Sequence, residues 1–196
     1  MKIGVDTNQF SGSHAASNHR NHKALFEAGH GITPLPIPYG DYIQITPEIE
    51  RIIESRGTKL TKKALMGHIR VSVDRKNSID EICSNICGQQ HRRFRDECIR
   101  ALEDGARFYV LIENDEMIKD LEGVKRWSNP RLHRYNKIKM YQERGNCLRY
   151  SLPAKPPTSN MTLFKAMSTM SKTYGVVFVF CSPHEASRRI VELLTV

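Results

Sequence analysis

Apolar residues recur along the chain with two different periods, which predict where helices and strands alternate. Between Ser78 and Cys87 the apolar positions follow the spacing of an amphipathic helix: Ile79, Ile82, Cys83, Ile86 and Cys87. From Ile69 to Asp74 the period is two, which predicts a strand with one buried face. Arg107–Ile112 is nearly continuously apolar and predicts a strand in the centre of a sheet. Alternation of this kind predicts an α/β protein.

The same analysis predicts the remaining elements. Strands or extended segments are expected at Lys2–Val5, Ile32–Pro38, Tyr42–Ile45 and Val176–Cys181. Helices are expected at Asn18–Gly29, Pro47–Ser55, Thr61–Met66, Gln90–Asp104, Asn129–Tyr141, Thr162–Tyr174 and Pro183–Leu194. The helix from Gln90 is expected to bury Phe94, Cys98, Ala101 and Leu102.

Length and composition exclude several classes of protein. The 196 residues suffice for one domain with a full core. No stretch approaches the roughly 18 apolar residues of a membrane span, and the early charged residues do not resemble a signal peptide. Five cysteines without a C-x-x-C pair fit reduced thiols in a cytoplasmic protein of a bacterial or phage-infected cell: Cys83, Cys87, Cys98, Cys147 and Cys181.

The charge of the chain favours a polyanionic partner. The formal net charge is +9, and basic residues concentrate in two runs, Arg51–Lys76 and Lys119–Lys155. Solvated helix faces also produce such runs. Because the two runs flank a carboxylate-rich centre, a nucleic-acid surface is the better interpretation, with Lys62 and Lys63 as candidate DNA contacts.

One short pattern suggests phosphodiester hydrolysis. Residues two apart on a strand share a face, so Asp74 and Lys76 should project together. Asp41 follows Gly40, which permits a tight turn and places this carboxylate opposite on the neighbouring strand. Carboxylates bind Mg²⁺, and the metal generates a nucleophilic water that a lysine can orient. A surface salt bridge at a strand end is the alternative interpretation of the pattern.

The order of the motifs resembles the XPF-type excision-repair nuclease domain of the PD-(D/E)xK superfamily. That family's signature is V-D-x-R-E, then G-D, then E-R-K-x-x-x-D. This chain has Val5-Asp6, Gly40-Asp41, and Asp74-Arg75-Lys76 followed by Asp80. Segments 90–94 and 111–113 also resemble the family's helix and following strand, so the resemblance covers roughly residues 1–114. Segments near 152–159 and 174–183 resemble phage and prophage proteins that carry this domain.

The resemblance implies a restriction-endonuclease-like mixed central sheet flanked by helices. Residues 1–150 would form the nuclease core, with helices inserted at about 47–67. Residues 151–160 would be a Pro-rich linker, and residues 161–196 a helix-strand-helix extension packing on the core.

The implied activity is metal-dependent DNA endonuclease, with branched or flapped DNA as a candidate substrate. Asp41 and Asp74 would hold Mg²⁺ or Mn²⁺ with Asp6 nearby, and Lys76 would assist the attacking water. Arg75 would contact phosphate or brace Asp74, and His91 and Arg92 are further candidate DNA contacts. The expected partner is DNA, without a membrane or a nucleotide cofactor, and homodimerisation follows from relatives that pair through their nuclease domains.

The chain departs from the family signature in three ways. Asn8-Gln9 replace Arg-Glu, Asp74 replaces Glu, and about thirty residues separate Asp41 from Asp74. The first departure removes one carboxylate that could hold metal. It motivates the alternative of a catalytically weakened DNA-binding or recombination accessory protein on a nuclease fold.

Overall fold

The computed structural model describes residues 1–10, 15–114, 118–145 and 151–196. Six strands lie in these ranges: β1 (Lys2–Asp6), β2 (Gly31–Leu35), β3 (Tyr42–Gln44), β4 (Val71–Lys76), β5 (Arg107–Glu113) and β6 (Val177–Cys181). The α-helices in the same ranges are α1 (Ala15–Glu27), α2 (Pro47–Arg56), α3 (Lys62–Leu65), α4 (Ile79–Cys87), α5 (His91–Glu103), α6 (Pro130–Glu143), α7 (Asn160–Tyr174) and α8 (Ala186–Leu194). Cys147 and Arg149 lie outside the described residues.

All six strands belong to one mixed sheet with the order β2-β1-β3-β4-β5-β6. The short strand β3 runs antiparallel to both of its neighbours, β1 and β4. The pairs β1–β2, β4–β5 and β5–β6 are parallel. The predicted mixed α/β sheet flanked by helices is therefore confirmed, and β6 forms its second edge.

Helices cover both faces of the sheet. On one face Ile49, Leu65, Ile82, Phe94 and Met167 join a core contributed by α2–α5 and α7. On the other face a smaller core is formed between the sheet and the helices α1 and α8, with these buried residues among its members: Leu25, Val73, Leu111, Ile190 and Leu194. The sheet is thus a central layer buried on both sides.

Local sequence signals determine several helix boundaries. The side chain of Thr46 accepts the backbone N–H of Ile49 at the start of α2, and Ser78 accepts that of Glu81 at the start of α4. Asn129 caps α6 in the same way, with Pro130 as the first helical residue. Gly175 ends α7 in the left-handed conformation that glycine favours.

Two burial predictions were wrong. Strand β4 was expected to expose one face, but Ser72 through Lys76 are all buried because β4 lies between β3 and β5 with helices on both faces. The alternating polar side chains of β4 contact other protein groups and not solvent. Leu102 was expected in the core, but it is 51% exposed on the outer side of α5.

The cysteines and the helices bear on two expectations from composition, reduced thiols and the absence of a membrane span. Cys83, Cys87, Cys98 and Cys181 are free thiols. In the described part of the chain, every helix is too short or too polar to cross a membrane.

Candidate active site

The register of the sheet brings three aspartates together at one end of the central strands β1, β3 and β4. Val5 pairs with Tyr42, and Tyr42 pairs with Val73. One residue further along, Asp6 ends β1, Asp41 precedes β3, and Asp74 lies in β4. The N–H of Asp6 donates to the carbonyl of Asp41 at 2.8 Å, and the N–H of Asp41 donates to the carbonyl of Val73 at 2.9 Å. The hydrogen bonds of β3 therefore continue to the site and fix the spacing of these residues.

A glycine is required immediately before Asp41. Gly40 has φ of +72°, and a Cβ atom there would collide with the Ser72 hydroxyl and lie 3.3 Å from the carbonyl carbon of Val73. This close turn lets the Asp41 carboxylate reach β4, where it accepts the N–H of Arg75 at 2.8 Å. Its other oxygen accepts the Gln9 side-chain amide at 2.6 Å. Both oxygens are therefore held by protein donors.

Asp74 and Lys76 project to the same face of β4, as period two predicts. Lys76 Nζ lies 3.0 Å from Asp74 Oδ1 and 2.8 Å from Oδ2, and both side chains are buried. The ammonium also lies 5.7 Å from the centre of the Phe94 ring. Burial disfavours the charged lysine, but Asp74 and Asp41 outweigh it and raise the Lys76 pKa. Lys76 is accordingly a cation at neutral pH.

Asp41 bears the electrostatic cost of this arrangement. Burial raises its pKa well above the usual carboxyl range, and the nearby charge of Asp74 raises it further. Lys76 and the Arg75 N–H oppose the increase. Two acids placed this close in a buried site favour a bound cation, which would remove their repulsion.

The donor atoms at this edge fit a small divalent metal. Asp6 accepts the Asn8 amide through Oδ2 at 2.9 Å, whereas its Oδ1 is buried without a hydrogen bond. Asp74 Oδ2 is also buried without hydrogen-bond geometry, although it forms the ion pair with Lys76. Within the described ranges, no three His, Cys, Asp or Glu side chains form a metal-ligand group. Mg²⁺ commonly binds through only one or two carboxylates and several waters, and Asp41 and Asp74 are two carboxylates that line an open cleft.

Arg75 faces the opposite side of the sheet and is committed to other partners. Its Nε atom is paired with the buried carboxylate of Glu113, and its terminal nitrogens donate to Asn18 at 2.7 Å and Asn77 at 2.6 Å. Glu113 also binds Arg20 at 3.1 Å. The geometry does not support the expected phosphate contact of Arg75, because its guanidinium is buried and already has three partners.

A cleft of about 740 Å³ opens over the aspartates. Its floor includes Asp6, Asp41, Asp74 and Lys76. One wall is formed by Gln90, which precedes α5, and by one face of α5 itself: Arg93, Glu97 and Arg100. Lys62 of the inserted helix α3 lies on another part of the lining. The cleft thus combines an acidic floor with basic side chains around it.

Three of the predicted DNA contacts lie away from this lining. Lys63, His91 and Arg92 are exposed and are not among the described residues that line the cleft. The ring of His91 contacts the Ile86 carbonyl at 2.6 Å, at the junction between α4 and α5. DNA binding by these residues stays a prediction.

The sequence interpretation missed Gln9, Arg93 and Glu97. Gln9 was treated only as a lost acid, whereas its amide holds Asp41. Arg93 and Glu97 are four residues apart on α5, and Glu97 precedes the buried Cys98. The periodicity of α5 places Arg93 and Glu97 next to its buried stripe. The sequence did not show that this side of the helix lines the cleft.

The comparisons with known proteins agree with this geometry. A family model described as the ERCC4 domain matches residues 5–194 of the chain. The match extends through α7, β6 and α8, well beyond the region of resemblance that the motifs delimit. No curated protein matches the chain. The likeness to phage and prophage proteins stays a prediction.

The raised pKa of Asp41 predicts that Asp41→Asn stabilises the metal-free protein at neutral pH. Ionised Asp41 costs free energy in the folded state but not in the unfolded chain, and asparagine removes this cost once the Gln9 amide turns its oxygen toward it. Each 1 kcal/mol gained would raise Tm by roughly 2–4 °C. The gain should shrink as pH falls toward about 4, where the unfolded carboxyl also becomes neutral.

Thermal unfolding in EDTA measures this effect. Asp96→Asn, at a half-exposed position on α5, is the matched control and should leave Tm nearly unchanged. A lower Tm for Asp41→Asn at pH 7 would show that the buried carboxylate is not under electrostatic strain.

Proposed function

The chain belongs to the ERCC4 domain family, and from this premise we propose that it is a metal-dependent DNA endonuclease. The family implies a nuclease fold and DNA as the partner. The observation that carries the proposal is the pair of half-buried Asp41 and buried Asp74, with the Lys76 ammonium paired to Asp74, at the floor of an open cleft. A protein without a cation or a reaction at this place gains nothing from burying two acids together.

Asp41 and Asp74 would hold the metal, with Asp6 beside them. When bound, Mg²⁺ or Mn²⁺ would lower the pKa of a water and neutralise charge on the phosphate. The protein positions the acids through backbone hydrogen bonds: the Arg75 N–H holds Asp41, and the β3 ladder holds Asp41 against β4. Such preorganisation keeps the ligands in place before DNA arrives.

Lys76 would act on the reacting phosphate or on the attacking water. Its ammonium is buried, charged and fixed by Asp74 and Phe94, so its direction is set before substrate binds. A fixed positive charge stabilises the pentavalent transition state more than the ground state, because negative charge builds up during attack. Lys76 is therefore proposed to stabilise negative charge on the phosphate or to orient the attacking water.

Phosphates of the DNA backbone would be drawn in by the walls of the cleft. Arg93 is 68% exposed at its side chain, and its nearest acid, Glu97, is 3.9 Å away. Lys62 is exposed on α3 and lines the same cleft. We assign these two residues to phosphate binding, and we assign Arg75 to bracing β4 through Glu113.

One observation favours the second candidate, a DNA-binding accessory protein with a weakened site. The amides of Asn8 and Gln9 satisfy oxygens of Asp6 and Asp41. Neutral donors of this kind would hold the acids without any metal. The two functions differ in one result, which is whether DNA is cut.

Cleavage of DNA should depend on Asp41, Asp74 and Lys76. We expect Asp41→Asn and Asp74→Asn to reduce the rate by at least about 100-fold, since each removes an anionic ligand. Lys76→Ala should retain metal and DNA binding but lose cutting. Asp6→Asn should have the smallest effect, because asparagine keeps the backbone hydrogen bond by which this position holds Asp41.

The assay uses branched, nicked and plain duplex DNA with Mg²⁺ or Mn²⁺, and Mn²⁺ affinity is measured in parallel. Asp96→Asn, outside the cleft lining within the described residues, is the control for loss of a carboxylate. Binding of every DNA without a cut product in either metal would favour the accessory protein. Wild-type cutting by Asp74→Asn would place the active site elsewhere.

The salt dependence of DNA binding should separate Lys62 from its neighbour. A lysine that contacts phosphate contributes about 0.9 to the slope of log K against log salt on duplex DNA. Lys62 lines the cleft and Lys63 does not, so Lys62→Gln should lower the slope by about that amount and Lys63→Gln should change it little. Equal slopes for the wild type and Lys62→Gln would leave α3 without a role in DNA binding.

A further inference from the structure

Glu97 is an acid within the cleft that the roles given above leave unused. It lies on the face of α5 that lines the cleft, and its side chain is only 20% exposed. In the described part of the chain, its one close charged partner is Arg93, whose Nε atom is 3.9 Å from Oε1. That separation is too long for a hydrogen bond. A largely buried carboxylate is thus held in the cleft without a donor of its own.

The charges of Glu97 and the aspartates influence one another's pKa values. Burial raises the pKa of Glu97, and the charge of Asp74 raises it further. Glu97 in turn contributes to the raised pKa of Asp41. The other glutamate in the lining, Glu81, already accepts the backbone N–H and the side-chain amide of Asn77. Glu97 is therefore the glutamate whose charge remains available to the site.

Charge balance indicates what this acid does. Asp6, Asp41 and Asp74 together carry three negative charges when ionised, and Lys76 cancels one of them. Lys62, Arg93 and Arg100 line the same cleft, and their positive charges oppose the binding of a divalent cation. Asp6 Oδ1, which is buried in the same lining without a hydrogen bond, independently indicates a place for a cation.

We propose that Glu97 supplies the additional negative charge that lets the Asp41–Asp74 pair retain a divalent cation beside Lys76. This inference rests on the proposed nuclease function and assigns a new residue to its site. Glu97 acts as a positioning residue, because it attracts the cation through the field of the cleft and does not complete a three-acid ligand group in this structure. The cost is mutual repulsion among three acids in the metal-free protein.

Position 9 offers a way to move the charge without removing it. The Gln9 amide lies 2.6 Å from Asp41 on the side of the pair contributed by the segment after β1. A carboxylate at this position would add a negative charge next to the same two aspartates. Gln9→Glu combined with Glu97→Gln therefore keeps the total charge of the site, although it also removes the Gln9 amide that donates to Asp41.

Mn²⁺ titration by calorimetry tests the assignment on the purified full chain. Glu97→Gln should weaken Mn²⁺ binding about tenfold or more, whereas Glu97→Asp, which keeps the charge, should remain within about threefold of the wild type. Gln9→Glu/Glu97→Gln should recover most of the lost affinity. Glu103→Gln removes an exposed acid from the same helix and should bind Mn²⁺ like the wild type. Unfolding temperatures in EDTA verify that every variant is folded.

The outcomes distinguish this inference from the proposed function. Wild-type Mn²⁺ affinity in Glu97→Gln, with loss of affinity in Asp74→Asn, would overturn the role of Glu97 and leave the nuclease proposal intact. Equal losses in Glu97→Gln and the compensated double variant would also overturn it, since charge would not be the cause. A wild-type chain that neither binds Mn²⁺ nor cuts DNA would overturn both proposals.

Discussion

The placement of half-buried Asp41 beside buried Asp74 is the constraint on which the rest of the site depends. It arises because β3 is antiparallel to both of its neighbours, so that Asp41, which precedes β3, lies beside Asp6 of β1 and Asp74 of β4. Several groups position these two acids and offset the repulsion between their charges. Gly40 makes the turn, Lys76 pairs with Asp74, and the backbone N–H of Arg75 holds Asp41. The opposite face of β4 is secured by the ion pair of Arg75 with Glu113. The positions of the acids are thus determined mainly by backbone hydrogen bonds and by the turn at Gly40.

Sequence reasoning recovered the parts of this arrangement that depend on local periodicity. Period two on β4 predicted that Asp74 and Lys76 share a face, and the amphipathic spacing of α4 predicted its buried stripe. Parts that depend on three-dimensional packing were not accessible. The alternation in β4 indicated an exposed face, because a sequence does not reveal that polar side chains are directed at other protein groups. The orientation of α5 decides that Arg93 and Glu97, and not His91 and Arg92, line the cleft. Arg75 shows the same limit, since its partner Glu113 is 38 residues away in sequence.

Strands and helices contribute different groups to the cleft. Strands supply the acidic floor, where positions are fixed by a continuous hydrogen-bond ladder. Helices supply the wall, where Lys62 and Arg93 sit on exposed surfaces with fewer restraints. This division suits a nuclease, in which the reacting groups need rigidity while the DNA backbone needs a charged surface that adapts to it. It also explains how the segment inserted before β4 contributes: α3 carries Lys62 to the lining without altering the order of the sheet.

The central claim is that the Asp41–Asp74 pair is a cation site, and anomalous diffraction tests it most directly. Crystals of the full chain soaked in MnCl₂ would be measured at a wavelength where Mn²⁺ scatters anomalously. The account predicts an anomalous peak between the carboxylates of Asp41 and Asp74, on the cleft side of β4 and next to Lys76. A map from fully soaked crystals with no peak at this pair, or with its Mn²⁺ peaks bound only elsewhere on the protein, would contradict it.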